Sequence, residues 1–344
     1  WLEEVSLIAI VPIESESKLK NAPIGSGPFK FKEWKANDKI VLIKNDDYDL
    51  KNYPLLDKIE FKLFPSMPVA LANLDSGDVD AVFEVPISDA ERFKGRNDIN
   101  FIKPPSSNSI FVIEIAKNRY EPLKNKDVRE AIFTCMDKKS IQKVAYFGEG
   151  DIQWSPLPKS SWAYFENQNT IFDINKAKKL LKKANYSNLN LTIDIISGVA
   201  VMENIATVWQ ENLSKCGVKL EIIISDVSAW LDKYVNRNYQ LIANWANYKS
   251  DPHGIFDVMF APHWKDENSF PNRTLLNKVS EAASISDIDA RRNIYKDIQS
   301  SVISDFGPVV TVQSQPLISL TNKKVHNWEM NAMNYIFFNS IYKK

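Results

Sequence analysis

Between Leu189 and Trp245 the chain alternates between two periodicities, and this alternation limits its fold more than any other feature. Leu189 to Ile196 reads as a strand, and Ala200 to Cys216 places Ile205, Val208, Trp209 and Leu213 on one helical stripe before Gly217 stops it. Val218 to Ile224 is a second strand. Asp226 then caps a helix through Trp230, Leu231 and Tyr234, and Tyr239 to Trp245 is a third strand. Strands separated by helices in this way lie parallel, with right-handed crossovers, in an α/β sheet. The loops after Ile196, Ile224 and Trp245 then share the carboxyl end of the sheet, where open α/β sheets bind ligands. Ser197, the Ser225-Asp226 pair and the stretch from Asn244 to Asp251 are expected to converge there.

The stretch Leu241 to Gly254 is the strongest candidate site, because an apolar strand runs into a polar, aromatic loop with Trp245, Tyr248 and Asp251 three residues apart. Trp245 reads equally as core and as a stacking platform. Asp251 before Pro252 has the form of an N-cap followed by proline in the first helical position, and capping is favoured over ligand contact. Asn244 and Ser197 belong to the same converging loops. Trp154, in the loop-like stretch Gly148 to Asn169, either packs on the body or faces a ligand.

At 344 residues, 44% of them hydrophobic, the chain is long enough for two or three domains and can bury a large core. Lys plus Arg balances Asp plus Glu at 43 each, so no bulk charge draws it to nucleic acid or anionic lipid. The lysines of the helix after Asp173 surround an apolar stripe of Ala177, Leu180, Leu181 and Ala184 and read as a solvated face. Cys135 and Cys216 fit no metal or redox spacing, and a buried pair of free thiols is favoured over a disulfide. No apolar run approaches the roughly 18 residues that span a membrane. The chain opens at Trp1 with no secretion signal before it and reads as a fragment or processed product.

Upstream, Phe29 to Trp34 and Lys39 to Lys44 read as a hairpin, followed by a strand at Leu56 to Leu63. A short helix capped by Ser66 and ended by Gly77 comes next, then a strand at Val79 to Val85. Pro104-Pro105-Ser-Ser-Asn-Ser109 marks a crossing between substructures. Ile110 to Ala116 is a strand, and Val128 to Ala145 is a single helix with Val128, Ala131, Ile132, Cys135 and Met136 on its buried stripe.

Five motifs then occur in register: Pro23-Ile-Gly-Ser-Gly-Pro-Phe29 with Trp34, Leu74-Asp-Ser-Gly-Asp-Val-Asp80, Pro122 with Val128-Arg-Glu-Ala131, Asn175 to Leu181, and Trp245 with Asp251-Pro252. Together they closely resemble the extracellular solute-binding proteins of family 5, the dipeptide-, oligopeptide- and nickel-binding components of ABC importers. The resemblance implies an α/β, bilobal periplasmic-binding-protein-like fold (type II, cluster C), with the N-terminal part of lobe one and the inserted domain missing. Residues 1–108 and 309–344 would form partial lobe one, and 109–308 the second α/β lobe. It further implies an extracytoplasmic monomer without cofactors that hands an oligopeptide, or alternatively an oligosaccharide, to membrane permease subunits. In peptide-binding relatives an aspartate three residues after the tryptophan pairs with the ligand ammonium, and Tyr248 stands there in this chain. Some dipeptide binders place an arginine for the carboxylate at the start of the helix that here carries Glu203 and Asn204. Both end-group anchors are absent, which argues against dipeptides and leaves longer peptides held by their backbones.

Enzyme readings are weaker. Gly25-Ser-Gly27 has neither the strand nor the spacing of a nucleophile elbow or phosphate loop. His253, Asp257 and His263 would be the ligands of a metal-dependent hydrolase, but the spacing offers no further ligand. A binding protein is expected, not an enzyme.

Overall fold

The computed structural model describes residues 11–12, 19–104, 106–117, 119–167, 171–186, 188–247, 251–260, 273–315 and 317–344. The chain divides into two compact units, Trp1–Pro105 with Leu317–Lys344, and Ser106–Pro316.

In the first unit, β1 (Phe29–Lys35) and β2 (Lys39–Lys44) form the expected hairpin, and β3 (Lys58–Lys62) pairs antiparallel with β2. Helix α1 (Met67–Ser76) buries Ala70, Leu71 and Leu74. It ends at Gly77, whose φ of 82° is left-handed backbone that glycine adopts without a Cβ penalty. Ser66 holds the N-cap position in extended conformation, with no side-chain hydrogen bond. Strands β4 (Ala81–Val85) and β5 (Ile99–Ile102) complete the first pass through this unit.

The second unit is built on five strands, β6 (Ser109–Ile115), β7 (Leu189–Ile196), β8 (Val218–Ser225), β9 (Leu241–Asn247) and β10 (Val309–Ser314). Their order across the sheet is β10-β6-β9-β7-β8. β7 lies parallel to both β8 and β9, which is the arrangement expected from the helix–strand alternation. β6 pairs antiparallel with β9, and β10 antiparallel with β6. The return into the first unit is therefore later than Pro308. Val309 to Ser314 are held by ladder hydrogen bonds to Glu114 through Ile110, a non-local pairing that no loop signal at Gly307-Pro308 reveals. The chain then crosses back to β11 (Ile318–Asn322), which inserts between β4 and β5, and ends with the short pair β12 (Val325–His326) and β13 (Tyr342–Lys343).

Helices α2 (Lys126–Thr134) and α3 (Lys138–Ala145) correct the expectation of one long helix. Asp137 breaks the run: its carboxylate accepts from the N–H groups of Lys139 and Ser140, and its own N–H donates to Asn212 Oδ1 at 3.0 Å. Further along lie α4 (Ile174–Lys183), α5 (Ala200–Lys215), α6 (Val227–Val235), α7 (Pro252–Phe260), α8 (Arg273–Ser284) and α9 (Ile288–Asp305).

Helix α5 buries Ile205, Trp209 and Leu213, as its stripe requires. Trp209 stacks on Phe133 with ring centroids 5.4 Å apart and donates its indole N–H to Ile132 O. Cys135 and Cys216, expected as free thiols, form a disulfide. The packing of α5 against α2 and α3 brings their Cα atoms to 6.6 Å, within bridging range, and both residues are buried. At the sheet margin, Gln210 Nε2 on α5 donates to the backbone carbonyl of Leu220 in β8. At the opposite margin, Gln153 N–H donates to Val312 O and Ser314 N–H to Asp151 O, so a short segment lies along β10.

Candidate functional site

Side chains alternate across a sheet, so the adjacent residues Asn244 and Trp245 leave β9 on opposite faces. Asn244 shares its face with Ile242 and Ala246, which pack with Trp230 and Tyr239 and with Ile110, Val112 and Ile255. Its amide donates to Glu114 Oε1 at 2.9 Å, while Glu114 Oε2 accepts from Arg237 at 3.1 Å. Arg237 also contacts the Tyr239 hydroxyl, whose pKa burial pushes up. Asn244 thus belongs to a buried polar network and satisfies a carboxylate that is 8% exposed.

Trp245 leaves β9 on the other face, opposite Phe111, with the two rings edge to face at 5.7 Å. It is half-buried, one turn of the pleat from the carboxyl end of the sheet. Ser197 stands exposed at that end, directly after β7, and its N–H donates to Ser225 O at 2.8 Å. Asn247 closes β9 there, paired with Ser109 at the start of β6. Two residues that the sequence reading passed over lie beside them. Ser107 Oγ donates to Gln315 O at 2.7 Å and accepts from Ser109 N–H, and Asn108 Oδ1 accepts from the Ser160 hydroxyl. Their signal was the Ser-Ser-Asn-Ser run before an apolar strand, which becomes meaningful only once β6 is known to be antiparallel.

Asp251 caps α7 through a 2.9 Å hydrogen bond from His253 N–H. Arg291 Nη2 lies 3.0 Å from both of its carboxylate oxygens, with the guanidinium 5.1 Å from the Trp162 ring centroid and 5.6 Å from that of Tyr295. Its carboxylate is engaged in holding the start of α7. Tyr248 and His263 lie outside the described residues, as does the side chain of Asp257.

Trp154 is held elsewhere. Its ring covers the ammonium of Lys138, 4.5 Å from the centroid, and that ammonium donates to Gln153 O and Thr311 O, each at 2.8 Å. Lys138 is buried, and burial pushes its pKa down to about 7. Beside it a cavity of about 30 Å³ is lined by Trp154, Pro156, Val302, Phe306 and Val310 among others, along the first half of β10 rather than at the carboxyl end. The structure therefore brings Ser197 and Trp245 to one end of the sheet, ties the half-buried Asn244 to Glu114 on the other face, gives Asp251 a capping contact and places Trp154 at the flank. Nothing periodic in the sequence marked Lys138 as buried.

Among the described residues no group of three or more His, Cys, Asp or Glu is placed to hold a metal, and no helix is long and apolar enough to cross a membrane.

A family model described as bacterial extracellular solute-binding proteins, family 5 middle, matches residues 5–267, more than half of the chain. The chain belongs to that family. This family 5 chain is 29% identical over 318 residues to the oligopeptide-binding protein AppA of Bacillus subtilis (strain 168), covering 87% of this chain and 58% of that protein. The fold matches the crystal structure of the ABC transporter substrate-binding protein CtaP from Listeria monocytogenes with a TM-score of 0.87 at 23% identity, over 96% of this chain and 69% of that one. Bacillus subtilis AppA in complex with a nonapeptide matches with a TM-score of 0.74 at 25% identity, over 97% and 70% of the two chains. The architecture is accordingly the bilobal α/β fold of periplasmic binding proteins, and the family is one of extracellular solute-binding proteins. The chain spans about three fifths of the length of the relatives it matches, from 58% to 64%.

Proposed function

We propose that this family 5 chain captures oligopeptides, or a related small solute, outside the cytoplasm and presents them to the membrane permease subunits of an ABC importer. The observation that carries this reading is the carboxyl end of the second unit's sheet. There an exposed Ser197, the half-buried Trp245 and the strand-end residues Asn247 and Ser109 stand together where open α/β sheets take ligands. The surface is polar and aromatic, which suits a ligand held by hydrogen bonds and apolar contact.

The ligand class follows from the charges at the site. Glu203 in the first turn of α5 would meet a peptide carboxylate with like charge, and Tyr248, three residues after Trp245, carries no charge for an ammonium. A ligand bound without paired termini is one held along its backbone, and the nonapeptide bound by the Bacillus subtilis relative is of this length class. Mass spectrometry of material released from the full chain tests the reading. Peptides of several residues are the expected result, and release of oligosaccharide alone would overturn it. The variant Tyr248→Asp adds a carboxylate for an ammonium and is expected to raise affinity for peptides with a free amino terminus about tenfold over amino-blocked ones, by competition binding.

A further inference from the structure

Where the segment along β10 stops, the fold leaves a space that one side chain only partly fills. Asp151 O and Gln153 N–H bond across the margin of β10 to Ser314 and Val312. Among the described residues no backbone rung follows Gln153: Pro156 has no N–H to continue the ladder, and the Ser155 hydroxyl is bonded away to Gln299 Oε1. The Lys138 ammonium takes the next place, donating to Gln153 O on one side and to Thr311 O on the other, each at 2.8 Å. The cavity of about 30 Å³ lies beside it, bordered also by Pro156, Val302, Phe306, Val309 and Val310.

The charge of this space is unbalanced. An ammonium has three N–H donors, and the two carbonyls take two of them. The Trp154 ring offers a π-face, 4.5 Å from centroid to nitrogen, but no net negative charge. Asp137, next in sequence, is engaged in capping α3, and Asp305 pairs with Arg129 and Lys117. Burial is the one influence on the Lys138 pKa, with no opposite charge to offset it, and every other residue bordering the cavity is uncharged. Buried charges are ordinarily paired, so this ammonium lacks a counter-charge. At about 30 Å³ the cavity exceeds the roughly 10–15 Å³ that one water needs, and it admits one small ion.

We propose that this cavity is a site for a small monovalent anion of halide size, held by the Lys138 ammonium where the 151–156 segment leaves β10. The anion takes the third N–H and supplies the charge that the lining lacks. The apolar walls of Val302, Phe306 and Val310 replace no hydration, so a divalent anion is disfavoured, and a bulky one does not fit. Because the ammonium joins Gln153 to Thr311, an occupied site fastens the segment to the sheet margin.

Thermal unfolding of the full chain tests this at about pH 6, below the Lys138 pKa of about 7, in sodium bromide, sodium chloride or sodium gluconate. With about 100 mM salt and an anion held at about 10 mM, either halide is expected to raise the midpoint about 2–4 °C above gluconate. The difference is expected to vanish in Lys138→Met. In a crystal grown with bromide, anomalous scattering should place an ion in the cavity beside Lys138. Equal midpoints in bromide and gluconate, or a cavity holding water alone in that crystal, overturns the proposal. A bromide peak without a midpoint shift marks an adventitious ion only and overturns it too, as does a shift that survives in Lys138→Met. The crystal and the midpoints of the unaltered chain decide the matter even if Lys138→Met does not fold.

Discussion

Trp154 and Trp245 belong to the same unit and read alike in sequence, yet the structure gives them opposite surroundings. The face of Trp154 is covered by the Lys138 ammonium, and both groups sit at the flank along β10. Trp245 is met edge to face by Phe111, near the carboxyl end of the sheet. An aromatic ring is available to a ligand when its partners leave one face clear, and that depends on residues remote in sequence.

The largest expected effect concerns the helices of the unit that both rings belong to. The Cys135–Cys216 bridge closes a sequence separation of 81 residues and ties α2 to α5. Reduction is expected to lower the unfolding free energy by up to about 4.5 kcal/mol on the chain-entropy model, read from denaturant curves with and without reductant. Identical curves would remove the clamp from the account. Next, Trp154→Ala is expected to cost about 3 kcal/mol of stability while leaving ligand affinity within about twofold. An affinity loss as large as that at Trp245 would erase the distinction.

The third effect is a pH dependence belonging to Lys138 alone. Its folded pKa of about 7 lies below its ordinary value of 10.5, so between these limits the unfolded chain holds a proton that the folded chain has released. Stability should therefore rise with pH from about 7 to 10, by at most about 1.4 kcal/mol per unit, and level off below 7, where both states are protonated. The two carbonyls and the Trp154 ring favour the ammonium and keep the slope under that ceiling. Unfolding measured at pH 7 and 9 should show this increment in the unaltered chain and lose it in Lys138→Met. A decrease on raising the pH, absent from the variant, would contradict the assignment. The smallest effect is at the ligand: Trp245→Ala is expected to weaken binding about tenfold, or about 1.4 kcal/mol, by calorimetry.

The parallel half of the sheet was legible because each strand and helix there carries its own period, down to Gly217 ending α5 with φ at 85°. The antiparallel half was not, since β10 joins β6 across almost 200 residues and pairing of that kind leaves no local trace. The helix break was legible in principle: Asp137 is a capping residue within an apolar stripe, but the stripe's period continued past it. The disulfide could not be read, because the positions of Cys135 and Cys216 follow from how two helices pack. At the carboxyl end of the sheet, strand order placed Ser197 and Trp245, and the Asp251-Pro252 pair announced its cap. The faces of Asn244 and Trp154 depended on Glu114 and Lys138, whose burial no pattern foretold.

The Gln210 amide on the Leu220 carbonyl and the segment lying along β10 bear on behaviour in crowded surroundings. A sheet with open margins is exposed to recruiting other extended chains onto them. Here one margin has an acceptor already occupied by a side chain and the other is shielded by backbone. An intruding strand finds the Leu220 carbonyl taken on one side and the ladder from Val312 to Ser314 already bonded on the other.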